Sequence, residues 1–213
     1  MSSEAGPDSS HRVLLLSPAK AGGLRYEMLL RPEARFDVAV KLQQGTATIG
    51  DVYSFISGLY FRGKMAYAET FRAAPRGIPP ALVIVPGAGL VPPQTTVTVE
   101  QLRAIAEIPV DESNQAYRDA LLESARLLNE HAGPECLYVL LGSVASEKYT
   151  GPLLEVFGER LVFPADFVGR GDMSRGGLML RCARSGVELR YVPVQGAVLH
   201  GARPPKLERW RKP

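Results

Sequence analysis

The sequence predicts an α/β fold: a single three-layer domain with a central, partly parallel sheet. Five short apolar segments bounded by glycine or proline are typical of buried strands, and they cover residues 12–18, 81–87, 136–142, 160–164 and 187–194. Because these segments are almost continuously apolar, we expect both faces of the sheet to be covered. Helical patterns separate the strands, and this alternation favours parallel connections.

The helices are predicted from periodic apolar positions and from their ends. Residues 59–73 form one helical pattern, and residues 112–132 form the clearest one, with apolar side chains recurring every three or four positions. Asp111 is the expected N-cap of this longer helix, and Gly133 is expected to end it. A shorter helix is expected over residues 152–157.

Length and composition are those of one ordinary domain. The chain has 213 residues, of which 46% are apolar and 22% are charged. We expect a disordered N-terminal tail over residues 1–11, the domain over 12–200, and a basic, proline-rich tail over 201–213. No segment resembles a signal peptide or approaches the roughly 18 apolar residues that span a bilayer. We therefore expect a cytoplasmic protein without membrane contact, and the oligomeric state stays open.

The basic charge is concentrated at the C-terminal end. From Arg203 onward, five basic side chains accompany one acidic side chain, so this segment carries a formal charge of +4 and the rest of the chain −1. Basic, proline-rich segments commonly contact nucleic acid. A solvent-exposed segment without a partner is the open alternative.

Cysteine and histidine positions argue against several kinds of chemistry. Cys136 and Cys182 lie in apolar segments and are expected to be buried free thiols. The histidines are His11, His131 and His200, whose positions give poor support to a Ser–His–Asp triad. No cluster has metal-ligand spacing, so we expect neither a metal nor another cofactor.

In open α/β sheets, ligands bind where strands end and helices begin, and the first such position follows the first predicted strand. Ser17 and Lys20 lie there, in the segment SPAKAGG. A lysine at this position can contact a phosphate, or act as a base or nucleophile when desolvated. The alternative is a lysine that only faces solvent.

Two further loops offer polar and aromatic groups. Asp51 can serve as an acid/base group or as a helix cap, and Tyr53 can stack on a base or belong to the core. After the third of the five predicted strands, Ser146, Lys148 and Tyr149 supply hydroxyls and a cation. A serine–lysine pair can support acyl chemistry, although no G-x-S-x-G motif is present.

The fourth loop opens the last helix with unusual amounts of glycine and arginine. Its N-cap is expected at Asp172 or Ser174. Amide groups at a helix start, flanked by arginine, form a phosphate site, and glycine permits close approach. The candidate contacts are Arg170, Ser174, Arg175, Gly176 and Arg181. The alternative is tight packing of this helix on the sheet, with the arginines paired to Asp166 and Asp172.

Taken together, four motifs resemble the YaaA family of peroxide-stress proteins. In the family's order, they are SPAK at 17–20, GDVY at 50–53, an A-S-x-x-Y match at 145–149, and an A-R-G-L-M-x-R-like segment at 174–181. The resemblance implies one α/β domain with a basic cleft, a helix-hairpin-helix-like element, DNA binding and a role against oxidative DNA damage. It also implies a fold akin to uracil-DNA glycosylases and to a domain of archaeosine synthases, and hence chemistry on a base.

With this resemblance we expect a DNA- or RNA-binding protein that can process a base or nucleotide. Asp51 and Lys20 would be its catalytic groups, and Tyr53 or Tyr149 would stack on the base. The expected phosphate contacts are Lys20, Lys148, Arg170, Arg175 and Arg181. The alternative is an enzyme that acts on a small phosphorylated or nucleotide-like metabolite in the same pocket.

Overall fold

The strands form a mixed sheet with its most deeply buried members in the middle. The computed structural model describes residues 11–207, so residues 1–10 of the predicted N-terminal tail and residues 208–213 of the predicted C-terminal tail lie outside it. The strands are β1 (Arg12–Leu16), β2 (Ala81–Val85), β3 (Gly89–Val91), β4 (Leu137–Leu141), β5 (Leu161–Pro164) and β6 (Tyr191–Pro193). Their order is β3-β2-β1-β4-β5-β6. Strands β2, β1, β4 and β5 run parallel, whereas β3 and β6 pair antiparallel at the two edges. The predicted α/β fold with a partly parallel sheet is confirmed.

The helices flank this sheet. They are α1 (Leu24–Leu29), α2 (Asp37–Gln43), α3 (Ile49–Ser57), α4 (Leu59–Thr70), α5 (Val99–Glu107), α6 (Gln115–Ala132), α7 (Glu147–Phe157) and α8 (Asp172–Ser185). Helix α4 packs against α8, and α6 packs against α7. The crossovers from β1 to β2 and from β4 to β5 run in opposite directions, so right-handed connections place α4 and α7 on opposite faces. The result is the predicted three-layer arrangement.

Two helix starts differ from the prediction. Helix α6 begins at Gln115, because Asn114 accepts the hydrogen bond from the Tyr117 amide. Asp111 instead accepts from Ser113 in a local turn, so its predicted role as the N-cap is wrong. In α8 the N-cap position belongs to Gly171, which has no side chain to cap the helix. Asp172 and Ser174 are therefore residues of the first turn rather than caps.

Helix α7 begins earlier than predicted and contains Pro152. A proline inside a helix cannot donate to the carbonyl four residues before it, here that of Lys148. The Tyr117 hydroxyl donates to this carbonyl instead, at 2.8 Å. Tyr117 on α6 thus satisfies the helix that it packs against, and α7 continues through its proline.

Strand β1 is the point in the sheet at which successive strands begin to be added on the opposite side. After β1 the chain continues to β2 on one side, and it later returns to β4 on the other side. Loops that leave the carboxyl ends of β1 and β4 therefore turn away from each other and open a crevice. Gly142 follows β4 there, and a Cβ on it would lie 2.9 Å from the Ser17 Cβ.

Helices α4 and α8 touch through their backbones. A Cβ on Gly63 would lie 2.6 Å from the Gly176 carbonyl oxygen, and a Cβ on Gly176 would lie 2.8 Å from that of Leu59. Contacts this short admit only glycine. The packing alternative therefore accounts for Gly176, although its neighbour is another helix rather than the sheet.

Both cysteines are buried free thiols, as predicted. Burial raises the pKa of the Cys136 thiol to about 11, which keeps it protonated and unreactive at neutral pH. Within residues 11–207, no helix combines the length and the apolar character needed to cross a bilayer.

The helix contact predicts opposite effects for two adjacent glycines. Gly176→Ala should lower the free energy of unfolding by about 1–3 kcal/mol, because the new methyl group overlaps the α4 backbone. Gly177→Ala is the matched control, because its Cβ would meet only the Leu207 side chain, at 3.5 Å. The higher helix propensity of alanine should therefore raise the free energy of unfolding by up to about 1 kcal/mol. Urea unfolding measures both. Equal effects would contradict the glycine contact.

Candidate functional site

A cleft of about 690 Å³ opens at the carboxyl edge of the sheet, where the chain reverses direction beside β1. The loops after β1, β2 and β4 form its floor. Its sides come from the end of α3, the segment from α5 to Val110, and the first turns of α7 and α8. Ligands of open α/β sheets bind at this location, so the cleft is the first candidate for a functional site.

Polar side chains reach the cleft from several elements. Lys20 follows β1 and is exposed, and Lys148 lies in the first turn of α7 and is half-buried. The carboxylate of Asp172, at the start of α8, borders the cleft as well. Hydroxyls are supplied by Ser17, Ser57 and Ser143. Such a set can hold an anion by its two ammonium groups and orient it by hydroxyl hydrogen bonds.

One side of the cleft is apolar. The last turn of α5 places Ile105 there, and the segment after α5 places Ile108 and Val110 there. A second pocket of about 270 Å³ shares Ile105, Ile108 and Pro86 with the cleft and is lined almost entirely by apolar side chains. The site therefore combines a cationic side with an apolar side, which suits a ligand that carries both kinds of group.

The structure brings together five of the side chains that the sequence singled out. Ser17, Lys20, Tyr53, Lys148 and Tyr149 all line the cleft. They come from three separate motifs, and the sheet topology explains their meeting: β1 and β4 are neighbours, and α3 ends beside them. The loops that carry these five residues therefore share one edge of the sheet.

Two other predicted residues do not line the cleft within the described chain. Asp51 is exposed in the first turn of α3, where it forms a capping box with Thr48. The capping alternative thus accounts for Asp51. Ser146 is exposed at the N-cap position of α7, without a side-chain capping bond.

The arginines around the start of α8 serve mainly to hold this region together. Arg170 donates to the carbonyl oxygen of Asp166 and to the Ser174 hydroxyl. Arg175 is buried, donates to the Phe167 carbonyl at 3.2 Å and lies 3.7 Å from the Asp172 carboxylate. The predicted pairing with Asp172 is present, whereas Arg170 meets only the backbone of Asp166. The predicted contacts that do not line the cleft are Arg170, Ser174, Arg175, Gly176 and Arg181.

The tyrosines of the cleft are core residues as well as lining residues. Tyr53 is fully buried and packs edge-on against Phe61, with ring centroids 5.4 Å apart. Its ring offers no open face in this conformation, so the core alternative describes it better than base stacking does. The Tyr53 hydroxyl is buried without a hydrogen-bond partner among the described residues. Burial raises the pKa of this hydroxyl, and Tyr149 adds to the rise.

Behind the cleft lies a lysine that the sequence analysis did not single out. Lys64, on α4, is fully buried. Its ammonium donates to the Ser17 carbonyl oxygen at 2.8 Å and to the Ser17 hydroxyl oxygen at 2.7 Å. The nitrogen also sits 3.9 Å above the ring centre of Tyr60, one helical turn earlier. These contacts accommodate the three N–H groups of an ammonium ion.

The charge on Lys64 is balanced by opposing effects. Burial lowers its pKa to about 7, while the Asp172 carboxylate acts to raise it and the Arg175 guanidinium lowers it further. Burial also raises the pKa of the nearby Tyr60 hydroxyl to about 12, so this hydroxyl stays protonated. Arg175 and Ser17 lie near it. Among the described residues, however, it has no hydrogen-bond partner. Near neutral pH, Lys64 can therefore hold or release a proton.

The burial of Lys64 could have been predicted from its position in the sequence. Helix α4 buries Tyr60, Phe61, Tyr67 and Ala68, which lie three and four positions on either side of Lys64. A lysine in the centre of such an apolar stripe is not a typical surface lysine. In contrast, the closeness of Asp172 depends on the packing of α8 on α4, which local sequence does not display.

Fold and cleft define the class of the molecule: an α/β protein with a polar cleft at the carboxyl edge of a mostly parallel sheet. Comparisons of the chain with protein-family models, curated proteins and solved structures give no match. The relation to the YaaA family therefore stays a prediction carried by the four motifs. Within residues 11–207, His, Cys, Asp and Glu side chains form no group of three that could hold a metal ion.

Lys64 predicts a pH dependence of stability. Between about pH 7 and about pH 10.5 the folded amine binds fewer protons than the unfolded amine. Its contribution to the free energy of unfolding should therefore rise with pH in this window, by up to about 1.4 kcal/mol per pH unit. We expect the free energy of unfolding of wild type minus that of Lys64→Met, measured by urea unfolding, to rise with pH. A difference independent of pH would show that Lys64 titrates alike in both states.

The unpartnered Tyr53 hydroxyl predicts a contrast between two tyrosines. Tyr53→Phe should leave the free energy of unfolding unchanged or raise it, because the lost hydroxyl makes no hydrogen bond. Tyr67→Phe is the matched control, because its hydroxyl accepts from the Leu189 amide at 3.0 Å and bonds that of Tyr191. This variant should lose about 1–3 kcal/mol. Thermal and urea unfolding decide, and a comparable loss in both variants would mean that Tyr53 has a partner in solution.

Proposed function

We propose that the cleft binds a small anionic metabolite of the nucleotide-like type. A single observation carries this proposal: two lysines from different elements, Lys20 and Lys148, line one cleft whose other side is apolar. A phosphate would lie at the lysines, and the less polar part of the ligand would lie against the segment that follows α5. A volume of about 690 Å³ is within the usual range for sites of small molecules.

The start of α7 supports an anion at this place. Its first turn, which contains Lys148 and Tyr149, borders the cleft. Ser146 occupies the N-cap position, but its side chain makes no capping bond with any described residue. The first amide groups of α7 are thus open to an external acceptor, and a helix start favours negative charge.

A polynucleotide is the second candidate, and the C-terminal segment favours it. Arg203 and Lys206 are exposed there, whereas the other basic residues of this segment lie outside the described chain. However, Arg170 and Arg175 are engaged within the protein, and Asp172 places a negative charge at the cleft. The charges therefore favour a compact ligand with one phosphate group over a long backbone. DNA or RNA binding, a cytoplasmic location and a stress role stay predictions.

Calorimetric titration with a nucleoside monophosphate, the matching nucleoside and inorganic phosphate tests the proposal. We expect the monophosphate to bind more tightly than either fragment, because it engages both sides of the cleft. Lys20→Ala and Lys148→Ala should each weaken it by about tenfold or more, since each removes a charge-assisted contact. Lys41→Ala is the matched control: Lys41 pairs with Asp37 on α2, outside the cleft.

Other results would contradict this function. If Lys41→Ala weakened binding of the monophosphate equally, the effect would come from the overall charge of the protein rather than from the cleft. If no nucleotide tried were bound, the proposed ligand class would be wrong. Oligonucleotide binding that falls steeply with salt and is lost in Arg203→Ala/Lys206→Ala, without binding of free nucleotides, would favour the polynucleotide candidate.

A further inference from the structure

We propose that Ser17 is a catalytic nucleophile and Lys64 its general base, forming a pair that hydrolyses a carboxylic ester bound in the cleft. This inference goes beyond the binding function, since it assigns a reaction. It is also independent of which anion binds, because it rests on the contact between the two side chains and on the position of Ser17 at the cleft.

Ser17 is placed as a nucleophile requires. It directly follows β1, at the point where the chain reverses direction across the sheet, and it lines the cleft although only 3% of it is exposed. The Ser17 hydroxyl donates to the Leu141 carbonyl oxygen over a long distance, 3.4 Å, and also lies near the hydroxyls of Tyr60 and Tyr149. Its shortest hydrogen bond is the one with the Lys64 amine, at 2.7 Å.

Lys64 meets the requirements of a base for this hydroxyl. A neutral amine has a lone pair, which can accept the Ser17 proton, and two N–H groups, which can serve the Ser17 carbonyl and the Tyr60 ring. The charged groups that act on it are Asp172 and Arg175, which oppose each other, and burial lowers its pKa to about 7. A base with such a pKa works well near neutral pH.

Lys64 itself cannot attack a substrate, because it is fully enclosed and is not among the described residues that line the cleft. The other serines of the cleft lack an equivalent partner. For Ser57 and Ser143, the described chain provides no buried amine within hydrogen-bond distance. No histidine is among the described residues that line the cleft. The pair of Ser17 and Lys64 is thus the arrangement in this cleft that activates a hydroxyl.

The reaction balances with water as the co-reactant. Lys64 takes the Ser17 proton while Oγ bonds to the ester carbonyl carbon. Collapse of this adduct breaks the bond to the alcohol oxygen, which leaves with the proton from Lys64 and yields acyl-Ser17. Water then attacks the acyl group, Lys64 takes its proton, and the carboxylic acid departs as the proton returns to Ser17 Oγ.

Covalent labelling of the full-length protein tests the pair. A fluorophosphonate probe reacts with activated serines: an Oγ–P bond forms, the P–F bond breaks, and fluoride and a proton are released. We expect one phosphonyl group per native molecule, located on Ser17 by peptide mass spectrometry and absent from Ser17→Ala. The labelling rate should rise about tenfold per pH unit below about pH 7 and level off above it. Lys64→Met should slow it by about 100-fold or more.

Controls separate reactivity from a purely structural contact. Ser57→Ala and Ser143→Ala should keep the wild-type rate, since these are the matched serines of the same cleft. Circular dichroism shows whether Lys64→Met is folded; if it is not, the wild-type pH profile decides alone. No labelling of native wild type, labelling at another serine, or a rate at Ser17 without the step near pH 7 would each overturn the proposal. Labelling requires no nucleotide, so its failure is distinct from a failure of the proposed binding function.

Discussion

The buried amine of Lys64 is the constraint on which the rest of the site depends. A lysine removed from water must find partners for its N–H groups, or the fold loses several kcal/mol. Here the partners are Ser17, the first residue after β1, and the ring of Tyr60 on the same helix as Lys64. This requirement fixes α4 against the end of β1 and turns Ser17 toward the cleft. The polar interaction thereby links the core of the sheet to its functional edge.

The same constraint explains how the structure uses its glycines and arginines. Helix α8 can supply Asp172 near Lys64 only if it lies close to α4, and the contact of Gly63 with Gly176 allows this approach. Arg175 then holds the start of α8 to the turn before it, through the Phe167 carbonyl. The glycine and arginine content of this segment thus serves helix packing, and the cations available to a ligand are those of two other loops.

Sequence patterns foretold much of the sheet and only part of the site. Strands β1, β2, β4 and β5 could be predicted because continuous burial has a clear signature. The edge strand β6 is only partly buried, and β3 spans only three residues, Gly89–Val91, and has no such signature. Ser17, Lys20 and Lys148 could be predicted because strand ends meet at one edge. The burial of Lys64 and the close contact of Gly176 with the backbone of α4 depend on which helices pack together. Residues distant in the sequence determine that packing.

The most direct test of this account is a titration of the Lys64 side-chain nitrogen by NMR in the native protein. If the amine is enclosed against Ser17 and Tyr60, its resonance should be protected from solvent exchange and titrate with a midpoint near 7. Surface lysines such as Lys41 provide the internal reference. A Lys64 resonance that exchanges freely and titrates near 10.5 would show an amine in water, and both the anchoring role and the proposed base would be contradicted.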